Sequence, residues 1–195
     1  MPNALPYVVL ASASPRRREL LSLVGVQFEV RASRVEEKQI AGETGEQYVA
    51  RLAREKAQDV ARAAGTRPGA VVLGADTEVI LDHRALGKPQ SDAHAAEMLR
   101  SLAGRAHDVL TAICVVPLDG GAGGARREEV ASTRVYFGPM SDEEIAAYVA
   151  TGEPRDKAGA YGIQGGAAKF IERIEGCYYN VMGLPVAALY RLLTT

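Results

Sequence analysis

Short apolar runs alternate along this chain with stripes at helical spacing. Residues 8–10 form a buried-strand run, and the segment from Pro15 places Leu20, Leu21, Leu23 and Val24 on one helical face. Ser14 suits the N-cap, Pro15 the first turn, where its missing N–H costs nothing, and Gly25 the stop. Residues 26–30 alternate as a second strand, whereas 31–42 is polar without a period. Thr44 with Gln47 reads as a capping box, opening a helix that runs to about Ala64 with Tyr48, Leu52 and Val60 inward. After a turn at 65–69, residues 70–73 look like a central strand with Gly74-Ala75-Asp76-Thr77 at its end. Residues 78–81 resume as strand, Asp82-His83 suits a tight reversal, and Leu86-Gly87-Lys88-Pro89 is irregular.

In the second half, Ser91 caps a helix to about Ala103 with Ala95, Met98, Leu99 and Leu102 on one face, and Gly104 ends it. Residues 107–116 are β-branched and apolar, as expected of a strand in mid-sheet. The glycines of 120–124 form a turn, with 129–137 as the return strand. Ser141 with Glu144 repeats the capping box before a helix over 143–149, stopped by Thr151-Gly152. Residues 153–168 mix glycines and alanines with Asp156, Lys157, Tyr161 and Gln164, and have no period, so they form a loop held by polar contacts. Residues 170–174 are strand, 176–183 loop, and 185–193 a terminal helix with Leu189, Leu192 and Leu193 inward. The alternation predicts an α/β fold: a mixed, twisted sheet with helices on its faces, its two lobes flanking a central cleft within one domain over 1–195.

The 195 residues suffice for one substantial core, and 47% hydrophobic, 24% charged residues with a formal net charge of −1 are ordinary for a globular chain. That balance argues against a nucleic-acid polymer as partner. No apolar run reaches the length of a membrane span and the N-terminus has no secretory pattern, so a cytoplasmic location is expected. Cys114 and Cys177 lie far apart and read as buried thiols, and three scattered histidines do not suggest a zinc centre.

The candidate chemistry lies where apolar runs meet loops. The strand-to-helix turn at Ser12, Ser14, Arg16 and Arg17 combines helix-start donors with guanidinium groups, a constellation for an oxyanion such as phosphate. The alternative is a capped helix with solvated arginines. Asp76, directly after a buried run, is placed to hold a metal or activate water, and Glu37 or its neighbour Glu36 could join it around a magnesium or manganese ion. Lys88 and Lys157 could neutralise a polyphosphate; Lys56 lies one turn beyond Leu52, at the edge of the core. Together these groups favour hydrolysis or transfer at a nucleoside polyphosphate. There is no Walker phosphate loop, no dinucleotide fingerprint and no G-x-S-x-G elbow.

As a set, five stretches resemble the Maf family of nucleoside triphosphate pyrophosphatases. They are Leu10-Ala-Ser-Ala-Ser-Pro-Arg-Arg17, Gly74-Ala-Asp-Thr77, Gly87-Lys-Pro89, Asp156-Lys-Ala-Gly-Ala-Tyr-Gly-Ile-Gln-Gly165 and Asn180-Val-Met-Gly-Leu-Pro185. The resemblance implies a Maf/ITPase-like fold, a homodimer, and a metal-dependent cut between the α and β phosphates that yields a nucleoside monophosphate and pyrophosphate. It implies that Asp76 accepts the proton of the attacking water, with Ser12, Arg16, Glu37, Lys56 and Lys88 around the phosphates and the metal, Glu37 and Asp76 being its ligands. Arg17, Thr77 and Gln164 match the subgroup similar to dTTP and UTP pyrophosphatases, and the Gln164 amide suits the O4 and N3–H edge of a pyrimidine. The alternatives are a 7-methyl-GTP or modified-nucleotide pyrophosphatase, or a nucleotide-binding regulator of cell division with little catalysis. Two departures stand out: Ala13 replaces a usual glycine, and Gly165-Gly166-Ala167-Ala168 is a less polar continuation than expected.

Overall fold

The computed structural model describes residues 5–119 and 125–194. Its first half runs β1 (Tyr7–Leu10), α1 (Pro15–Leu23), β2 (Phe28–Val30), α2 (Gly45–Ala64), β3 (Ala70–Leu81) and β4 (Arg84–Ala85). There follow α3 (Asp92–Leu102), β5 (Ala106–Pro117), β6 (Arg127–Phe137), α4 (Asp142–Ala150), β7 (Ile171–Glu175), α5 (Tyr178–Met182) and α6 (Val186–Thr194). The glycine turn expected at 120–124 lies outside the described residues; β5 and β6, on either side of it, pair antiparallel.

The strands form one mixed sheet in the order β2-β1-β3-β5-β6-β7, with β4 on β3. β1 pairs parallel with both β2 and β3, and the remaining pairs are antiparallel. Because strand side chains alternate between faces, neighbours on β3 enter different cores. Val72 packs with Val49, Ala53 and Ala57 of α2. Leu73 packs with Leu20 and Leu21 of α1 and Leu189 of α6. Farther along, Val79 and Val109 meet Leu99 of α3 and Ile145 of α4 in a third cluster.

Two features place the site. First, β1 accompanies β3 only as far as Leu73, then turns off into α1, while β3 continues to Leu81. The β3 edge beyond Leu73 is therefore uncovered until β4 pairs with Ile80 and Leu81. Second, α2 lies against β3 at Gly74, where an added Cβ would stand 2.0 Å from the Ala53 carbonyl oxygen. The expectation that Gly74-Ala75-Asp76-Thr77 ends a strand is corrected here. The strand runs through without a break, Asp76 sits in its middle opposite Ala112, and the glycine serves the helix approach rather than a turn.

Other expectations change locally. Ser14 occupies the N-cap position without a side-chain cap; its own N–H instead donates to Ser12 Oγ at 3.3 Å. Leu23 is 65% exposed, and the inward face of α1 consists of Arg17, Leu20 and Leu21. The 176–183 loop contains the short helix α5, ordered by the buried Asn180, whose amide donates to Val109 O and Thr133 Oγ1, both at 2.9 Å. The two capping boxes, at Thr44 with Gln47 and Ser141 with Glu144, are formed as read. Asp82 and His83 make the β3–β4 reversal with φ of 50° and 63°.

Candidate active site

A pocket of about 550 Å³ opens at the fork between β1 and β3, bounded by the start of α1, the uncovered stretch of β3, the segment at Lys88 and the 153–168 loop. Ser12, Arg16, Arg17, Glu37, Asp76, Thr77, Lys88 and Gln164 all line it. Lys56 bonds two of these wall residues from behind. Glu36 is exposed and outside the lining, whereas Glu37 belongs to it.

On the α2 side of the sheet, Lys56 is the hub. It projects from the inner face of α2, is almost fully buried, and its Nζ donates to Asp76 Oδ1 and Glu37 Oε1, each at 2.6 Å. Lys88, on the exposed side, donates to Glu37 Oε2 at 2.8 Å. One ammonium thus gathers two carboxylates, and a second ammonium extends the chain from Glu37 toward solvent. Burial pushes Asp76 up, against the opposing charges of Lys56 and Arg17. Burial also acts on Glu37, but the charges and hydrogen bonds of Lys56 and Lys88 outweigh it and hold this carboxyl down to about 2. Glu78 shares the Asp76 face two residues on and is pushed up to about 7, chiefly by burial. Its Oε1 accepts from the N–H groups of Val79 at 2.8 Å and Gly87 at 2.9 Å.

The opposite face carries a hydrogen-bonded chain built around a guanidinium. Arg17 is buried, and Nε donates to Gly183 O at 2.8 Å, Nη1 to Ser12 Oγ at 2.9 Å and Nη2 to Thr77 Oγ1 at 3.0 Å. Thr77 Oγ1 lies 2.9 Å from Thr111 Oγ1, which donates to Asn180 O at 2.9 Å. Arginine can only donate and a carbonyl can only accept, so the protons are ordered: Arg17 to Thr77, Thr77 to Thr111, Thr111 to Asn180. Burial lowers the Arg17 pKa, with Asp76 and Glu37 opposing.

The mouth is flanked by Arg16, whose Nη1 donates to Asp156 Oδ2 at 3.1 Å, and by Lys157, whose Nζ donates to Asp156 Oδ1 and Glu153 O. The 153–168 stretch, expected as a polar loop, folds into three 3-10 turns. Glu153 ties them: Oε1 accepts from Tyr148 Oη at 2.8 Å and Oε2 from Gly166 N at 2.9 Å. An added Cβ at Gly165 would lie 2.1 Å from Glu153 Oε1, so the glycine at that position makes room for the carboxylate. Gln164 is exposed on the pocket wall.

The family model for Maf-like proteins matches residues 7–195. The chain belongs to the Maf family. Relatives carrying the name dTTP/UTP pyrophosphatase include one from Geobacter sulfurreducens, 52% identical over 92% of this chain and 91% of its own. One from Geotalea uraniireducens is 51% identical over 95% of this chain and 93% of its own, and one from Shigella sonnei is 48% identical over 95% and 90%. Among solved structures, the Staphylococcus aureus Ham1 protein overlaps at TM-score 0.45 and 18% identity, covering 67% of this chain and 71% of its own.

In this Maf protein, the metal question turns on Glu37 and Asp76. Maf pyrophosphatases generally need a divalent cation. Among the described residues, no group of three or more His, Cys, Asp or Glu side chains is gathered as a cage. The oxygen donors of Glu37 and Asp76, both on the pocket wall, suit magnesium or manganese in kind, since magnesium is commonly held by one or two carboxylates together with substrate phosphates. The residues to which sequence reading gave no role of their own are Glu78, Thr111, Asn180 and Glu153. For Glu78 a signal existed: on one strand, Asp76 and Glu78 must share a face.

Proposed function

We propose that this Maf protein hydrolyses nucleoside triphosphates, dTTP and UTP foremost, to the monophosphate and pyrophosphate. The carrying observation is the arrangement of Asp76 and Glu37 on one buried ammonium, within a pocket whose rim is lined by Arg16, Lys88 and Lys157. The relatives named dTTP/UTP pyrophosphatase, 48–52% identical, support the substrate class.

In the reaction, water attacks the α-phosphorus, its proton passes to Asp76, and the bond from that phosphorus to the α–β bridging oxygen breaks. Pyrophosphate leaves with the bridging oxygen. Burial makes the Asp76 carboxylate a better proton acceptor than a solvated one. Lys56 holds that carboxylate by one oxygen, which fixes its orientation and leaves the second oxygen for the water. Lys88, exposed and tethered to Glu37, can turn to a phosphate oxygen. Arg16 can do the same by leaving Asp156. Glu37 and Asp76 are the residues to hold a magnesium or manganese ion, which when bound supplies charge neutralisation on the phosphates.

Arg17 acts on selectivity through Thr77, with three of its five N–H groups engaged by Gly183, Ser12 and Thr77. Gln164, exposed on the pocket wall, is the group we assign to the base, with a donor and an acceptor on one amide. The chain over 1–195 acts as one unit of two lobes, joined through β3 and β5, and as a homodimer in the cytoplasm. No helix among the described residues is long and apolar enough to cross a membrane.

The test is pyrophosphate release with magnesium and with manganese across dTTP, UTP, CTP and 7-methyl-GTP. Preference for dTTP and UTP is expected. A clear preference for 7-methyl-GTP moves the protein to another branch, and tight nucleotide binding without turnover makes it a regulator instead.

A further inference from the structure

We propose that Glu78 is a positioning residue that sets the Lys88 segment against the pocket, joining it to β3 on one side and to the 153–168 loop on the other. This inference rests on the pyrophosphatase reading of the site.

The geometry begins with the uncovered edge of β3. Between Leu73 and the β4 pairing at Ile80 this edge has no strand beside it, and the segment that reaches it there is the irregular Leu86-Gly87-Lys88-Pro89. Backbone pairing joins this segment to β3 through Leu86 N to Val79 O at 2.9 Å. The next contact is made by a side chain: Glu78 Oε1 accepts from Gly87 N at 2.9 Å while also accepting from Val79 N at 2.8 Å. One carboxyl oxygen therefore bridges the strand and the segment where a ladder bond would otherwise run. Gly87 passes the connection on, since its carbonyl accepts from Gly159 N at 2.9 Å. Gly87 has a φ of +66°, a conformation costly for other residues, so the bend directing Lys88 is fixed at that position.

The consequence falls on Lys88. Its side chain is 55% exposed and pairs with Glu37 Oε2, so burial does not hold the Lys88 end in place. What fixes the root of Lys88 is the residue before it, anchored by Glu78 and Gly159. Glu78 differs in this from Asp76 on the same face. Asp76 is tied to the ammonium of Lys56, whereas Glu78 is tied to backbone N–H groups. A group with that bonding acts as an acceptor, and an amide oxygen can replace it.

The test compares Glu78→Ala, Glu78→Met, Glu78→Gln, Lys88→Ala and the double variant Glu78→Ala/Lys88→Ala, by pyrophosphate release from magnesium dTTP and by calorimetric dTTP binding. Loss of the acceptor in Glu78→Ala or Glu78→Met is expected to raise KM by about tenfold, with a smaller change in kcat. Glu78→Gln is expected to restore kcat/KM to within about threefold of wild type, because it keeps the oxygen. The double variant should fall within about twofold of Lys88→Ala alone, since two changes acting through one side chain do not multiply. Should Glu78→Ala fail to fold, Glu78→Met keeps the volume and Glu78→Gln the bond, so the comparison survives. The proposal is overturned if Glu78→Gln loses activity as fully as Asp76→Asn, which would make the carboxyl itself a reacting group or a ligand. Multiplying losses in the double variant overturn it as well. If wild type binds dTTP but releases no pyrophosphate, the functional reading fails, and the affinity series still decides the role of Glu78.

Discussion

The two faces of β3 solve the same problem, burying polar groups beside a substrate pocket, in opposite ways. On the α2 face, Asp76, Glu37 and Lys56 are charged and meet at a single nitrogen. On the other, Arg17 carries the charge and neutral hydroxyls of Ser12, Thr77 and Thr111 answer it. A hub of charges is reactive because its members can change partners and protonation. A chain of ordered hydroxyls ending on a backbone carbonyl has no such freedom, and suits holding a shape. Chemistry is therefore expected to reside on the first face and selectivity on the second.

The sharpest break comes from Asp76→Asn. It keeps the side-chain shape but accepts no proton, so kcat should drop about 10²- to 10⁴-fold with nucleotide binding retained. Unchanged turnover would remove Asp76 as the base and erase the distinction between the faces. Next in size, Lys56→Met leaves Asp76 buried without its cation and should cost roughly 3–5 kcal/mol, read by chemical denaturation at pH 7. A change below about 1 kcal/mol would mean that the hub contributes no more than a surface ion pair.

Glu78 supplies a pH test of the same face. Its carboxyl ionises near 4.5 when unfolded and near 7 when folded, so the unfolded chain gives up its proton first. Stability is thus lost as pH rises from about 4.5 to about 7. Wild type should fall behind Glu78→Gln across that window by on the order of 2–3 kcal/mol, with the two converging in acid. Parallel pH curves would show that burial does not hold this proton.

The smallest effect is expected on the other face. Thr111→Val removes the middle hydroxyl of the chain, leaving the Thr77 hydroxyl without its acceptor while the Asn180 carbonyl keeps Gly183 N, at about 1–2 kcal/mol. Its mark should be on the ratio of kcat/KM for dTTP over CTP, with kcat for dTTP little changed. A loss of kcat equal for every nucleotide would place chemistry on both faces.

Much of this was legible in the sequence for physical reasons that can be named. The capping boxes at Thr44 and Ser141 are local, needing only residues three apart, and both form as read. The acids and bases of the pocket stood out because charge beside an apolar run is costly without a purpose. The strand through Asp76 was not legible, because glycine and aspartate are poor strand formers and only the approach of α2 explains them. The helix α5 was equally hidden: five residues carry no period, and its order comes from Asn180 bonding to β5 and β6. Arg17 read by position as part of an oxyanion constellation and by resemblance as a residue of substrate selection. Only the fold reveals that Gly183, far along the chain, takes its Nε.

Gly74 has one further consequence. With an added Cβ only 2.0 Å from the Ala53 oxygen, the position works as a gauge between two rigid bodies, the strand bearing Asp76 and the helix bearing Lys56. The reach between base and ammonium is then calibrated by the absence of a single methyl group. A pocket calibrated in this way can vary its rim freely in evolution or in the laboratory, while the thickness of the wall behind it admits no adjustment.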